Sequence, residues 1–396
     1  MFPQVSRRLF SSSSLLRNRA VVYTKNGPPS QIISAISYPS LPPPPPNTVN
    51  IRFILSPVNP ADLNTIEGVY PSKPTASTNI NSSGKGSQEE PVFVAGNEGL
   101  AEVVEVGEGV SGLEKGAWVV MDKPQLGTWA TSRNVAAKQV IRLPFGKLSG
   151  LSEAQGATMT VNPTTAYNML DSFVPLAPGD WIIQNGANSA VGKLVIQIAK
   201  IRGIKTINLV RPRDDLAGLV KELEKLGADK VLTYDELNDK SIRGKVKEWT
   251  DGKAIRFLTY KQDIRLGLNC VGGDPATAMA RLLGQNAHLV SYGAMSKRPL
   301  SLPTSLFIFK NLVSHGFWQT RWTKENPRHK KEALIGTLAE WMSKGKLKVS
   351  DHEIVTIPKD DSDEVASQKI RDVLARISEG KVGKKVLLRL EGTESV

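Results

Sequence analysis

A chain of 396 residues with 40% hydrophobic and 22% charged residues has the make-up of a soluble globular protein and the length of two domains. It has no run of about 18 apolar residues, the length a membrane-spanning helix needs. The net charge of +13 attracts phosphates, on nucleic acid or on a polyanionic small molecule, without choosing between them. The single cysteine, Cys270, excludes an internal disulfide and a Cys-rich zinc site. The four histidines (His288, His315, His329, His352) lack metal-ligand spacing, so no metal site is expected.

The first acidic residue is Asp62, whereas Arg7, Arg8, Arg17, Arg19 and Lys25 precede it. "SRRLFSSSSLLRNR" is basic, Ser-rich and amphipathic, the composition of a mitochondrial transit peptide, which is expected over residues 1–19. After a short polyproline connector, Pro42 to Pro46, "VNIRFILSPVNPADL" reads as a strand entering a loop. Tyr70 follows, just ahead of the turn-prone "PSKP". The polar stretch Ser77 to Pro91 reads as a surface loop, and "FVAGNEGLAEVVEVGEGV" and "GAWVVM" as short strands cut by glycines.

The pattern changes after Asn162. "DWIIQNGANSAVGKLVIQIAKIRGIKTINLV" runs strand, glycine-bounded turn, amphipathic helix, strand, which is a βαβ unit. "LGLNCVGG" and "AHLVSYGAM" add buried strands that end in glycine turns. The expected architecture is α/β: a doubly wound Rossmann-type parallel sheet domain at 166–323, inserted in a β-rich domain at 20–165 and 324–396. "FLTYKQDIR", around residues 256–264 and flanked by two Ile-Arg pairs, fits neither pattern.

Within "GANSAVG", Gly186 and Gly192 bracket a turn between strand and helix. A dinucleotide's pyrophosphate needs backbone N–H groups at a helix N-terminus with little bulk around them. Asn188 stands where the middle glycine of the fingerprint falls. The next strand ends "NLVRPRDD": Arg211 and Arg213 occupy the place of the carboxylate that would bind a free ribose 2′-hydroxyl, which favours NADPH over NADH.

"GNEG" (Gly96 to Gly99) and the zinc-free βαβ core resemble the medium-chain dehydrogenase/reductase superfamily in its quinone-reductase branch, with a GroES-like β-rich catalytic domain. Asn97 stands where zinc alcohol dehydrogenases carry a ligating histidine, and Asn59-Pro60 where they carry cysteine. "SPVNPADLNTIEGVYPSKP", "LGTWAT", "QGATMTVNPTTAYNML", "QNGANSAVGK", "LNCVGG", "SYGAMSKRP" and "LPTSLFIFKNLVSHGFW" narrow the resemblance to the mitochondrial trans-2-enoyl-CoA/acyl-carrier-protein reductases, from about Ala20 to the C-terminus.

The resemblance implies NADPH-dependent reduction of an enoyl thioester carried by acyl carrier protein or CoA, in a matrix homodimer. By position it makes Tyr70 the catalytic residue. It makes Asn162 a cofactor contact, Asn188, Ser189, Ala190 and Val191 the pyrophosphate turn, and Arg211, Pro212 and Arg213 the 2′-phosphate clamp. Tyr292, Gly293, Ala294 and Met295, with Phe317, Trp318, Gln319 and Thr320, match segments lining the nicotinamide and acyl side. Lys384, or its neighbour Lys385, matches a late basic cofactor contact. A zinc-free quinone reductase shares the same fold. A basic nucleic-acid-binding module is the distant alternative; "RWTKENPRHKK" is its best segment, but no basic platform interleaved with aromatics accompanies it.

Overall fold

The computed structural model describes residues 16–77, 80, 92–144, 150–250 and 263–392. Most of the 77–91 loop, most of the 256–264 segment and the first 15 residues lie outside that set. The chain forms two compact units: one ends at Arg142 and resumes at Glu353, and the other runs Leu143–His352. Residues 143–165 and 324–352 thus fall with the parallel sheet and not with the β-rich part. Gln155 Nε2 donates to Met342 O at 3.3 Å, and the Tyr167 and Trp341 rings lie 5.9 Å apart.

The first unit opens with β1 (Leu16–Tyr23), α1 (Pro29–Ile32), β2 (Ser34–Pro39), β3 (Thr48–Pro57), α2 (Pro60–Glu67) and β4 (Phe93–Val94). β5 (Leu100–Val106), β6 (Trp118–Met121), β7 (Ser132–Ala136) and β8 (Val140–Arg142) follow. The second unit holds α3 (Glu153–Ala157), α4 (Asn162–Asp171), β9 (Trp181–Asn185), α5 (Ala190–Ile201), β10 (Lys205–Val210), α6 (Leu216–Leu226) and β11 (Lys230–Thr233). It continues with α7 (Ile242–Thr250), β12 (Ile264–Asn269), α8 (Gly273–Ala280), β13 (His288–Ser291), α9 (Thr304–Lys310) and β14 (Val313–Gly316). It closes with α10 (Gln319–Glu325) and α11 (Arg328–Ser343), and the chain ends with β15 (His352–Ile357), α12 (Asp363–Ser378) and β16 (Lys385–Leu390).

In the first unit β3 pairs antiparallel with β5, β7 and β16 in a seven-stranded sheet. Alternate residues of these strands, such as Val49, Ile51, Val103, Val119 and Val140, meet in one core. A second core joins Leu63 and Ile66 of α2, Ile370 and Leu374 of α12, Val386 and Leu388 of β16, and the fully buried Trp129. Each such side chain taken from water contributes roughly 1.5–3 kcal/mol. β1 lies within this unit. Arg19 is buried, its N–H donates to Thr131 Oγ1 at 2.9 Å, and its guanidinium donates to Pro358 O at 2.9 Å and to Asp361 O. The expected transit segment 1–19 therefore overlaps the fold from Leu16 onward.

The second unit is a parallel six-stranded sheet in the order β11-β10-β9-β12-β13-β14. Its strands are apolar because both faces are covered. Ile183, Ile207 and Leu289 pack with Met279 and Leu283 on one face. Val210 packs with Ile196 of α5 and Leu219 and Leu223 of α6 on the other.

Candidate active site

The cofactor residues expected in the parallel-sheet unit follow the carboxyl ends of adjacent strands. Asn188 to Val191 follow β9, and Arg211 to Arg213 follow β10. Tyr292 to Met295 follow β13, and Phe317 to Thr320 follow β14. Ligands of open parallel sheets bind along that edge. Asn162 begins α4, which packs on α5. Tyr70 and Lys384 belong to the other unit.

Local hydrogen bonds fix the strand ends. Asn269 closes β12: its Oδ1 accepts from Asn185 Nδ2 (2.8 Å) and from the N–H groups of Val271 (3.1 Å) and Gly272 (3.0 Å), and its Nδ2 donates to Ser291 Oγ at 3.0 Å. Asn185 Oδ1 in turn accepts from Cys270 N at 2.8 Å. Two buried amides thus hold the loops after three neighbouring strands. Neither was singled out from sequence, although an asparagine closing each apolar run, "WIIQN" and "LGLN", was the available signal. The Met295 N–H donates to Cys270 O at 2.9 Å and the Phe317 N–H to Ser291 O at 2.9 Å, and Gln319 Oε1 accepts from Asn168 Nδ2 at 3.2 Å.

The turn before α5 fits a dinucleotide. Ser189 is the N-cap and accepts from Gly192 N at 3.1 Å. A Cβ on Gly192 would stand 2.6 Å from the carbonyl oxygens of Gly186 and Ala187, so only glycine leaves the turn this tight. Gly186 has φ +61, and a Cβ there would meet Cys270 Sγ at 2.5 Å. Tyr234 Oη accepts from the Gly186 N–H at 3.0 Å. Arg211, Pro212 and Arg213 are exposed beside this turn, as a clamp on an incoming phosphate requires.

In the first unit, Tyr70 follows the helix that "NPADLNTIE" builds. Pro60 at the first helical position suits its fixed φ, and Gly68 ends the helix at φ +84. The N–H groups of Val69 and Tyr70 both donate to Asn64 O, at 3.0 and 3.1 Å, so the tyrosine is tied to the last turn of α2. It is half-buried.

The start of α2 is held by a buried polar cluster. Asp62 accepts from the Asn59 N–H at 2.6 Å, from the Asn97 N–H at 2.8 Å and from Asn97 Nδ2 at 2.7 Å. Asn59 Nδ2 donates to Glu98 Oε2 at 3.0 Å, and the Lys385 ammonium donates to Asn59 Oδ1. Burial raises the Asp62 carboxyl to about 7; the Asn59 and Asn97 hydrogen bonds and Lys385 oppose that rise, and Glu98 adds to it. Burial lowers the Lys385 ammonium, against the pull of Glu98 and Asp62. Asn59 and Asn97, the positions compared with zinc ligands, thus serve as hydrogen-bonding spacers. Among the described residues no group of three or more His, Cys, Asp or Glu is placed to hold a metal.

Lys384 is exposed just before β16, whereas its neighbour Lys385 reaches into this cluster. Sequence reasoning named Asn59 and Asn97 only by comparison and passed over Asp62 and Glu98 as partners. The Asn-x-x-Asp spacing was the available signal for a helix cap, where the sequence was read as a loop. Nothing local joined it to a lysine more than 320 residues away.

Comparison with known proteins finds a family model for each part of the chain, the first reaching past Arg142 into the second unit. The model for the alcohol dehydrogenase GroES-like domain matches residues 45–158, and that for the zinc-binding dehydrogenase matches 190–335. The mitochondrial enoyl-[acyl-carrier-protein] reductase of Schizosaccharomyces pombe is 40% identical over 390 residues, 98% of each chain. The solved complex of Etr1p with NADP and crotonyl-CoA superposes with a TM-score of 0.85 at 37% identity, covering 95% of this chain and all of that one. The Etr1p/Etr2p heterodimer of Candida tropicalis, a mitochondrial 2-enoyl thioester reductase, gives a TM-score of 0.84 at 37% identity over 95% of this chain and all of that one. With this identity carried along almost its whole length, the chain belongs to the mitochondrial enoyl-[acyl-carrier-protein] reductase family.

Proposed function

We propose that this protein reduces trans-2-enoyl thioesters to saturated acyl thioesters in mitochondria, with NADPH as reductant. The observation that carries the reading is the row of loops at the carboxyl ends of β10, β9, β12, β13 and β14, with a glycine cradle on one and two arginines on the next. When bound, the cofactor supplies a hydride to Cβ of the substrate.

The chain's own residues bind, orient and donate. The first-turn N–H groups of α5, at Ala190 and Val191 beside the Ser189 cap and Asn188, hold the pyrophosphate. Arg211 and Arg213, either side of Pro212, hold the 2′-phosphate through charge-assisted hydrogen bonds. Tyr292 to Met295 and Phe317 to Thr320 line the nicotinamide and acyl side, and Asn162 adds a contact from α4. Lys384, exposed just before β16, or its neighbour Lys385, whose ammonium donates to Asn59 Oδ1, adds the late basic cofactor contact. As charge develops on the thioester oxygen, the Tyr70 hydroxyl donates a hydrogen bond to it. Cα then takes its proton from that hydroxyl or from a water the hydroxyl orients. A phenolic O–H is itself a hydrogen-bond donor, so Tyr70 can act without a second residue to prepare it.

The thioester arrives on acyl carrier protein or on CoA, and the enzyme works as a homodimer. Support for the dimer comes from α9 and β14. Ile308 and Phe309 are 67% and 73% exposed, Phe307 and Val313 are exposed beside them, and β14 pairs with no described strand on its outer side. A two-fold axis would seat this self-complementary patch on its copy.

The test is steady-state oxidation of NADPH with crotonyl-CoA, repeated with NADH and with a small quinone. Turnover of the thioester with preference for NADPH supports the reading. Turnover of the quinone alone makes the protein a quinone reductase.

A further inference from the structure

The glycine turn before α5 offers a ligand only some of its N–H groups; the others are tied down. The Ala187 N–H donates to Leu209 O at 3.2 Å and the Ser189 N–H to Gly186 O at 2.9 Å, both from backbone to backbone. Ala190 and Val191 open α5, where N–H groups have no acceptor within the helix. The Gly186 N–H is held differently. Its acceptor is a side chain from another strand end, the Tyr234 hydroxyl, at 3.0 Å. Gly186 sits at φ +61, so this one bond fixes the orientation of the peptide that enters the turn.

Tyr234 follows β11, and β10 stands between β11 and β9. Val210 of β10 pairs with Thr233 on one side, and Leu209 pairs with Asn185 on the other. The tyrosine therefore crosses two strand spacings, roughly 10 Å, to reach Gly186, and its ring lies across the end of β10 where Arg211 departs. Its own N–H donates to Val210 O at 3.1 Å, so the side chain starts from a fixed point. The half-buried ring packs against the core that holds Leu209, Leu232 and Leu237. For packing alone, phenylalanine would serve without a hydroxyl to satisfy. Burial raises the phenol above its ordinary 10.0; the Gly186 hydrogen bond opposes that rise, Cys270 adds to it, and the Arg211 charge opposes it. We propose that Tyr234 is a positioning residue for the cofactor, holding the Gly186 turn in the shape that receives the pyrophosphate. This rests on the NADPH reading and adds a residue to that same site.

Tyr234→Phe keeps the ring and removes the acceptor. The pyrophosphate is common to NADPH and NADH, so calorimetric titration should show Kd rising in the same proportion for both, by roughly three- to tenfold, the effect of one neutral hydrogen bond. Reduced nicotinamide mononucleotide has neither the pyrophosphate nor the adenosine, and its turnover with crotonyl-CoA should match the parent's. Hydrogen exchange read by mass spectrometry should be slow at the Gly186 amide of the parent without cofactor and faster in the variant. A fast amide in the parent overturns the proposal whether or not the variant folds. A loss on NADPH alone would assign Tyr234 to the 2′-phosphate clamp. Equal losses on all three cofactors would make it a packing residue, and unchanged Kd values would mean that the backbone bonds suffice to hold the turn. Each of these results overturns the proposal. A parent that binds neither NADPH nor NADH overturns the cofactor reading itself, and the role of Tyr234 with it.

Discussion

Tyr70 is tied to Asn64 O through its own N–H, so its backbone position does not depend on its hydroxyl. Tyr70→Phe keeps the ring and should leave folding and NADPH affinity intact, while kcat on crotonyl-CoA drops by at least about tenfold, the lower edge of what general acid catalysis contributes. Parental turnover in stopped-flow or steady-state assays would reduce Tyr70 to a packing residue. Arg211 and Arg213 are exposed just beyond the end of β10, so truncating them should leave the sheet intact. Changing both to Ala should weaken NADPH binding by roughly 2–4 kcal/mol and hardly alter NADH, because charged hydrogen bonds to a 2′-phosphate are lost only for the first. Calorimetric titration with both cofactors decides this, and equal losses would mean that the arginines serve the fold. These two assignments were legible in sequence because each rests on a short local pattern: a tyrosine before "PSKP", and arginines where a strand ends.

At the level of elements, α2 depends on the Asn59–Asp62–Asn97–Glu98–Lys385 cluster. Lys385→Met would leave buried carboxylates without their cation and should cost roughly 3–5 kcal/mol of stability by denaturant titration. The folded Asp62 carboxyl is raised from its ordinary 3.8 to about 7, so the folded state holds this proton more tightly than the unfolded chain. Its contribution to stability is therefore fully present below the ordinary value and is lost as pH rises through the folded one. Relative to Asp62→Asn, the parent's stability should decline between pH 3.8 and about 7 and level off above. A difference independent of pH would show that folding does not raise the Asp62 carboxyl. The sequence read this stretch as a strand entering a loop and showed neither α2 nor the cluster, since the lysine arrives on the last strand through antiparallel pairing of β16 with β3. The overlap of residues 16–19 with β1 escaped notice for a similar reason. Arg19 reads as one more presequence arginine until Thr131, Pro358 and Asp361, all distant in sequence, are seen around it.

On the scale of the whole molecule, short strands cut by glycines foretold the first sheet, buried apolar strands joined by an amphipathic helix foretold the second, and the change of pattern after Asn162 foretold the insertion. The edges of the inserted unit were less legible. α3, α4 and α11 have ordinary helical composition, and only contacts such as Gln155 with Met342 show that they pack together. The exposed Phe307, Ile308 and Phe309 were read in sequence as a family motif; their exposure beside the open edge of β14 shows them to be a surface. Phe309→Glu with Ile308→Asp should turn a dimer into a monomer in light scattering without lowering the melting temperature of the separate chain, whereas an unchanged mass would place the interface elsewhere. The central claim, hydride to Cβ of an enoyl thioester and a solvent-derived proton to Cα, is tested most directly by mass spectrometry of the product. Crotonyl-CoA is incubated with NADPH deuterated at the transferred position in ordinary water, and then with ordinary NADPH in heavy water. Butyryl-CoA labelled at Cβ in the first case and at Cα in the second is the expected result. NADPH consumption without butyryl-CoA, or label at the wrong carbon, would contradict it.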